Sequence, residues 1–341
     1  MAAAPEPGLV DLHTHAIAPS LPDLEDAVPW GRWPSVERLT QDSARILVGG
    51  RPYREIDDRC WSPARRVADL DAGGVAVQVI SPVPVTFCHD APAAGADLLA
   101  RTQNDFLADV VARQPDRLRA LAAVPLQAPD LAAGELRRCV GELGFIGAEI
   151  GTRVGDLELG DPFFDPFFDA VADLGAVVLV HPADTTLAPR LAVLGVTFGA
   201  GMPTETGIAA AGLLTSGAML RRRPGIRLCL AHGGGTLPWL LPRLDRGELI
   251  KDPGLPPDTL PGALARQLYS DSLTYDEESL MLAVQRYGTG HVVLGTDYPF
   301  AAAETPPGAV LHALHDQALR DAIGSGNARE LMRQDVPARL P

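Results

Sequence analysis

Four of the eight histidines in this 341-residue chain stand where a catalytic metal site would need them. His13 and His15 lie in the stretch VDLHTHAIAP, two residues apart, so in a regular strand both rings leave from one face. Such a pair can present two imidazoles to one ion, although the spacing alone suits two polar residues at a strand end equally well. Downstream, one apolar run ends in His181, the next in His232 and the last in Asp297. His13, His15, His181 and Asp297 make a donor set with a position left for water, which marks a catalytic and not a structural metal site. Neutral imidazole suits zinc, and the mixture with carboxylate also accommodates manganese or iron. His232 precedes three glycines that let the backbone pass close to a ligand. It falls outside the donor set but beside it, where an acid/base role on a metal-bound water fits. Asp11 reads as structural or as a support that hydrogen-bonds the backbone or a ligand, and Asp271 reads equally as such a support or as a structural acid lining the barrel. His291, His312 and His315 read as structural or exposed.

The elements that would position these residues alternate along the chain. Eight short apolar runs read as buried parallel strands: 8–15, 74–81, 121–126, 145–151, 176–182, 226–234, 268–272 and 291–299. Helical patterns lie between them. SPARRVADLDAGG opens with Ser62 as N-cap and Pro63 at the first helical position and closes in glycines. DLLARTQNDFLADVVARQPDR repeats apolar residues at helical spacing, and TGIAAAGLLTSGAMLRRRPG ends in three arginines that suit the helix dipole. GAVLHALHDQALRDAIGSGNARELM reads as a final helix. Eight strands alternating with helices predict an α/β fold, a (β/α)8 TIM barrel, over residues 1–341 as one domain. A doubly wound open sheet is the alternative, weakened because no G-x-G-x-x-G follows the first strand. Residues 16–62, rich in Pro, Trp and Arg, interrupt the pattern after strand 1 and read as a small insertion over the barrel mouth. In a barrel the functional residues gather at the C-terminal strand ends, where the histidines and Asp297 fall.

Composition excludes some functions. The formal charge of −14 at pH 7 disfavours nucleic acid and anionic membranes as partners. The four cysteines form no C-x-x-C pair and no disulfide framework, so they read as free thiols of a reducing cytoplasm. MAAAPEPG lacks the basic and apolar regions of a signal peptide, and the apolar runs are too short to span a bilayer. The expectation is a cytoplasmic protein acting on a small molecule.

The segments DLHTH, YREIDDRCW, DLDAGGVAVQVIS, VPLQAPDLA, ELGFIGAEIGT, VHPAD, GMPTET, LAHGGGTLPWLLPR and LGTDYPF occur in order from about residue 8 to 330. Together they resemble the metal-dependent amidohydrolase superfamily, and within it the branch of 2-amino-3-carboxymuconate-6-semialdehyde decarboxylase. The resemblance implies metal ligands at His13, His15, His181 and Asp297, and a water-activating histidine at His232. It implies a substrate-carboxylate arginine at Arg54, with Arg51 the runner-up, and a second arginine at Arg243, supplied across a homodimer interface. Paired guanidinium groups suit carboxylates because they bind them bidentately. This chain departs from the branch at the pocket: Ala183 replaces a tryptophan, Phe198 stands where a substrate-facing tryptophan would, and FCHD brings in His89. Phe198, His89 and Phe300 are therefore candidate substrate contacts. His89 reads equally well as a surface loop residue.

The reading implied is a decarboxylase holding one divalent ion, zinc or else manganese. It would act on a small carboxylated aromatic or unsaturated, muconate-like acid and release CO2 with a metal-bound water or hydroxide, with His232 and Asp297 handling protons. The alternative is a hydrolase of an amide, lactone or C–C bond on the same barrel, because function lives in the pocket and not the fold. A non-catalytic metal-binding relative is the rival from another class, and the intact ligand set argues against it.

Overall fold

The computed structural model describes residues 8–216 and 218–333. The first strand, β1 (Leu9–Ala16), leads into an antiparallel sheet of β2 (Pro34–Arg38), β3 (Ser43–Val48) and β4 (Arg51–Asp57). This sheet is the ordered part of the stretch that interrupts the strand–helix alternation. Helix α1 (Pro63–Gly73) follows, with the Ser62 side chain accepting from Arg65 N and Gly74 closing it in the left-handed region. The alternation then runs through β5 (Val75–Pro82), α2 (Ala93–Arg113), β6 (Leu118–Ala122), α3 (Pro129–Gly141) and β7 (Gly147–Ile150). A two-stranded ribbon, β8 (Arg153–Val154) and β9 (Leu157–Glu158), precedes α4 (Asp165–Leu174) and β10 (Val177–Val180). Next come α5 (Ala188–Leu194), α6 (Met202–Ser216), α7 (Ala218–Arg222) and β11 (Arg227–Leu230). The chain continues through α8 (Leu237–Lys251), α9 (Pro261–Leu264), β12 (Tyr269–Asp271), α10 (Glu277–Tyr287) and β13 (Val292–Val293), then α11 (Gln317–Asp321) and α12 (Asn327–Leu331).

Eight of these strands form one parallel sheet in the order β1-β5-β6-β7-β10-β11-β12-β13. Backbone bonds from β1 to the segment after β13 close it into a barrel: Leu12 N–H donates to Leu294 O at 2.9 Å and His15 N–H to Tyr298 O at 2.8 Å. Side chains alternate between two apolar layers. On β10, Val178 and Val180 face the helices and join Phe167, Leu136 and Leu107, while Val177 and Leu179 face the barrel interior with Val10, Leu12, Leu121 and Cys229. Ala328 and Leu331 of α12 join this interior cluster.

Two expectations from the sequence are corrected. The third barrel strand begins at Leu118, three residues before the expected start, and ends at Ala122. The final segment is not one helix. A 3₁₀ turn, Ala309–Ala313, ends at extended Leu314, and the Asp316 side chain caps a new helix by accepting from the N–H groups of Ala318 and Leu319. A residue that satisfies exposed N–H groups starts a helix even inside a periodic apolar pattern.

Gly147 shows how tightly the barrel wall is drawn. A β-carbon there would stand 1.8 Å from Val177 O, the backbone paired with it on β10. Gly147→Ala must push β7 and β10 apart, and we expect a loss on the order of 3 kcal/mol or more, read as a lowered midpoint in denaturant with unchanged slope.

Candidate metal centre and active site

β1 carries the first two site residues, and a bulge decides where they point. Val10 and Leu12 both belong to the barrel interior, so strict alternation would send His13 and His15 to the helix layer. The pairing with β5 shifts between Asp11 and Thr14, where three steps on β1 match two on β5. The extra residue reverses the phase, as bulges beside active sites do. His13 and His15 therefore line the interior above the apolar floor, with ring centroids 5.1 Å apart. Thr14 turns outward and donates to Val79 O at 2.7 Å.

His181 follows β10 on its interior phase. Its ring centroid is 4.9 Å from that of His13 and 5.0 Å from that of His15. Asp297 follows β13 with a φ of +62°, and its Oδ1 lies 3.1 Å from His15 Nε2 and 4.0 Å from His13 Nε2. One donor atom from each of His13, His15, His181 and Asp297 lies within 4.8 Å of all the others, and all four residues are buried.

The three rings are held by one device. Each Nδ1 faces an oxygen: Asp271 Oδ2 at 2.6 Å for His13, Pro82 O at 3.3 Å for His15 and Pro182 O at 2.9 Å for His181. With a proton on each Nδ1, each Nε2 turns its lone pair inward. His13 Nε2 and His15 Nε2 are 3.3 Å apart, and buried His181 Nε2 has no hydrogen-bond partner. Lone pairs facing one another in a dry site repel unless a cation or proton lies between them. The donor set thus fits a divalent ion of the zinc or manganese type.

Electrostatics follow the same logic. Burial works against a charged His13, but the Asp271 carboxylate outweighs it and lifts the ring to about 9. Burial lowers His15, and burial with the neighbouring rings holds His181 well below the usual histidine range. Burial and then His13 push His232 down to about 4. Burial works against the charge on Asp271 and Asp297, but hydrogen bonds from the histidines together with their nearby charge hold both below the usual carboxylate range. Ionised carboxylates and neutral rings are the states that bind metal, so an entering cation must displace the proton that Asp271 favours on His13.

His232 follows β11 with a φ of +59°. Asp271 holds that strained turn, accepting from His232 N–H at 2.9 Å and Gly233 N–H at 2.7 Å. The next glycine is required sterically, since a β-carbon at Gly234 would meet the Tyr287 hydroxyl at 1.9 Å. The ring centroid of His232 stands 4.9 Å from that of His181, and its buried Nδ1 has no partner.

A cleft of about 1180 Å³ opens over the cluster, lined by His15, His181, His232 and Asp297 at its base. Of the other sequence candidates, Arg54 from β4 and Phe198 and Phe300 line its walls. Phe300 stacks on the His15 ring at 5.5 Å, and the Arg54 guanidinium lies over Phe300 at 4.2 Å. Arg51 is exposed and does not line the cleft. His89 is not brought there either. It is half-buried, stacked on Phe87 at 5.4 Å, and a β-carbon at Gly151 would meet its Nδ1 at 2.9 Å. FCHD thus puts a polar ring outside the cleft lining. Arg243 lies on the exposed side of α8, away from this chain's own cleft.

The sequence reading passed over Glu149 and Arg66. Glu149 is fully buried on β7, with Oε1 3.7 Å from His15 Nδ1, and burial holds its carboxyl well above the usual range. A charged residue within the apolar run FIGAEIG was the available signal. Arg66 is buried on α1 and donates to His15 O. Nothing in its helical context distinguishes it from the arginine beside it.

The protein family described as Amidohydrolase matches residues 10–334. The chain is 34% identical over 335 residues to 2-amino-3-carboxymuconate-6-semialdehyde decarboxylase of Dictyostelium discoideum, covering 96% of this chain and 92% of that one. It is 30% identical over 323 residues to gamma-resorcylate decarboxylase of Polaromonas sp. (strain JS666), covering 88% and 96%. A solved dihydroxybenzoic acid decarboxylase from Polaromonas sp. JS666, with bound manganese and the inhibitor 2-nitroresorcinol, matches with a TM-score of 0.75 at 25% identity, covering 95% and 96%. The 5-carboxyvanillate decarboxylase from Sphingomonas paucimobilis matches with a TM-score of 0.71 at 26% identity, covering 79% and 82%.

Replacing Asp271 by Asn removes its charge and turns one of its two accepting oxygens into a donor, so the His13 ring and the N–H groups of His232, Gly233 and Leu273 cannot all keep their acceptor. We expect Asp271→Asn to fold and to bind zinc or manganese roughly 10- to 100-fold more weakly, measured by competition with a chromophoric chelator.

Proposed function

Because the chain belongs to the amidohydrolase family, we propose that it is a metal-dependent decarboxylase of a small carboxylated aromatic or unsaturated acid. The observation that carries this reading is the convergence of His13, His15, His181 and Asp297, with His232 beside them, under a cleft that holds Arg54. Relatives that match nearly the whole chain are decarboxylases of such acids.

We assign the metal to those four residues. Three neutral imidazoles and one carboxylate favour zinc; manganese in the matching Polaromonas structure makes it the second candidate. When bound, the ion supplies Lewis acidity at the base of the cleft. Arg54 has no ion pair among the described residues, so its guanidinium is free to hold a substrate carboxylate. Phe300, packed between Arg54 and His15, braces the guanidinium beside the metal ligands. Phe198 also lines the cleft. His232 is neutral at neutral pH, and its ring lines the base of the cleft, where it can take a proton and return it. Delivery of that proton to the carbon bearing the carboxylate interrupts conjugation. The C–C bond then breaks, its electron pair restores the conjugated system, and CO2 leaves. Asp297, ionised beside His15, stabilises the positive charge that passes through the site.

We further propose that the working unit is a homodimer. Arg243 reaches no site in its own chain, and on the same exposed face of α8 Trp239 is 73% exposed. Its guanidinium can serve a cleft only from a second copy. The buried free cysteines and the lack of any described helix long and apolar enough to cross a membrane support a reducing cytoplasm as the compartment.

Metal-loaded protein incubated with candidate acids in ¹⁸O-water should release CO2 and leave no ¹⁸O in the organic product. Label in the organic product would establish the hydrolase reading instead. His232→Ala should lower kcat roughly 10²- to 10⁴-fold while keeping the metal.

Chains carrying His232→Ala or Arg243→Ala should each be inactive alone. Mixed and allowed to exchange subunits, they should regain activity, because one of the two sites then has both residues. No recovery in a mixture proved to contain heterodimer would exclude a shared site.

A further inference from the structure

Arg66 is only 2% exposed, and among the described residues its charge has no carboxylate at ion-pair distance. A buried cation is costly unless its protons are met by acceptors, and an apolar side chain of similar volume would fill the same space more cheaply. What the guanidinium offers is a planar fork of donors with fixed directions. Nη1 donates to Gln78 Oε1 at 2.7 Å and to Thr14 Oγ1 at 3.3 Å. Nη2 donates to His15 O at 2.6 Å and to Arg59 O at 2.9 Å.

These four acceptors lie on three segments, β1, its neighbour β5 and the turn that ends the insert. Thr14 and His15 lie on the strand that carries two metal ligands. Arg59 lies in the turn Asp58–Cys60, which ends the inserted sheet directly after β4 and Arg54. Gln78 passes the link on, donating from Nε2 to Asp11 Oδ2 at 3.3 Å. Asp11 also accepts from His13 N–H at 3.3 Å and from Thr296 through N–H at 3.1 Å and Oγ1 at 2.7 Å. Thr296 precedes Asp297. The Tyr298 ring lies 4.8 Å from the Arg66 guanidinium, and its hydroxyl donates to Asp69 at 2.8 Å. One side chain thus ties the backbone around His13, His15 and Asp297 to the base of the insert.

We propose that Arg66 is a positioning residue that holds the inserted wall of the cleft, with Arg54, at a fixed height above the metal ligands. The part of this inference that concerns substrate rests on the decarboxylase reading; the coupling of insert to metal ligands does not. Arg66→Lys keeps the charge but cannot bridge two carbonyls and an amide from one point. It should bind zinc or manganese at least tenfold more weakly in chelator competition and also raise KM for the acid substrate. Arg54→Gln should raise KM alone. Wild-type protein gives a measurement free of folding defects: metal loading should slow hydrogen exchange of the amides of residues 57–61 together with those of β1. The inference is overturned if metal leaves exchange at 57–61 unchanged in wild type, or if folded Arg66→Lys shows only a lower Tm with wild-type metal affinity. Should no acid be turned over at all, the decarboxylase reading fails, while the exchange and affinity results still decide the role of Arg66.

Discussion

The contact between His13 Nδ1 and Asp271 Oδ2, 2.6 Å long and fully buried, is the constraint on which the site depends. In that dry setting a carboxylate is tolerable only if donors surround it. Asp271 meets the condition by accepting from the His13 ring and from the N–H groups of His232, Gly233 and Leu273. It therefore fixes the tautomer of one metal ligand and the strained turn of the acid/base residue together. Both follow from one requirement, that the charge on β12 be hydrogen-bonded.

Asp11 serves the same purpose on the closing seam of the barrel. It gathers donors from β1, β5 and the segment after β13, and burial lifts its carboxyl to about 6. Buried polar groups of this kind add little net stability, since each exchanges water for an internal partner. Their effect is to make one arrangement far better than its neighbours, because a shifted strand leaves several buried groups without partners at once. Stability comes mainly from the two apolar layers on either side of the strands. The polar layer at the strand ends sets geometry, and the family's chemistry needs a fixed geometry.

Much of this could be read along the chain. Buried parallel strands must be apolar on both faces, so the eight runs stand out, and a polar residue at the end of such a run has little reason to be there except chemistry. That rule picks out His181, His232 and Asp297 from their neighbours. It fails for Glu149, inside a run, and for Arg66, on a helix, because periodicity reports which face a residue occupies and not what it touches. It placed His89 ambiguously, since FCHD carries no period at all; in the fold the ring packs against Phe87 and Gly151, outside the cleft lining. The last helical stretch misled for a related reason. A side-chain cap at Asp316 is a local event that an apolar period does not register.

The sequence by itself determined the eight barrel strands and their alternation with helices, the donor set and the family, because these depend on residue type and spacing along one dimension. Only the tertiary structure decided which way the donors face. Spacing puts His13 and His15 on one side of β1, but the bulge between Asp11 and Thr14 chooses the interior for them, and it forms only against β5. The left-handed backbone at His232 and Asp297 is likewise sustained by contacts from other strands. Strain and phase are settled by partners distant in the chain, so no local pattern records them.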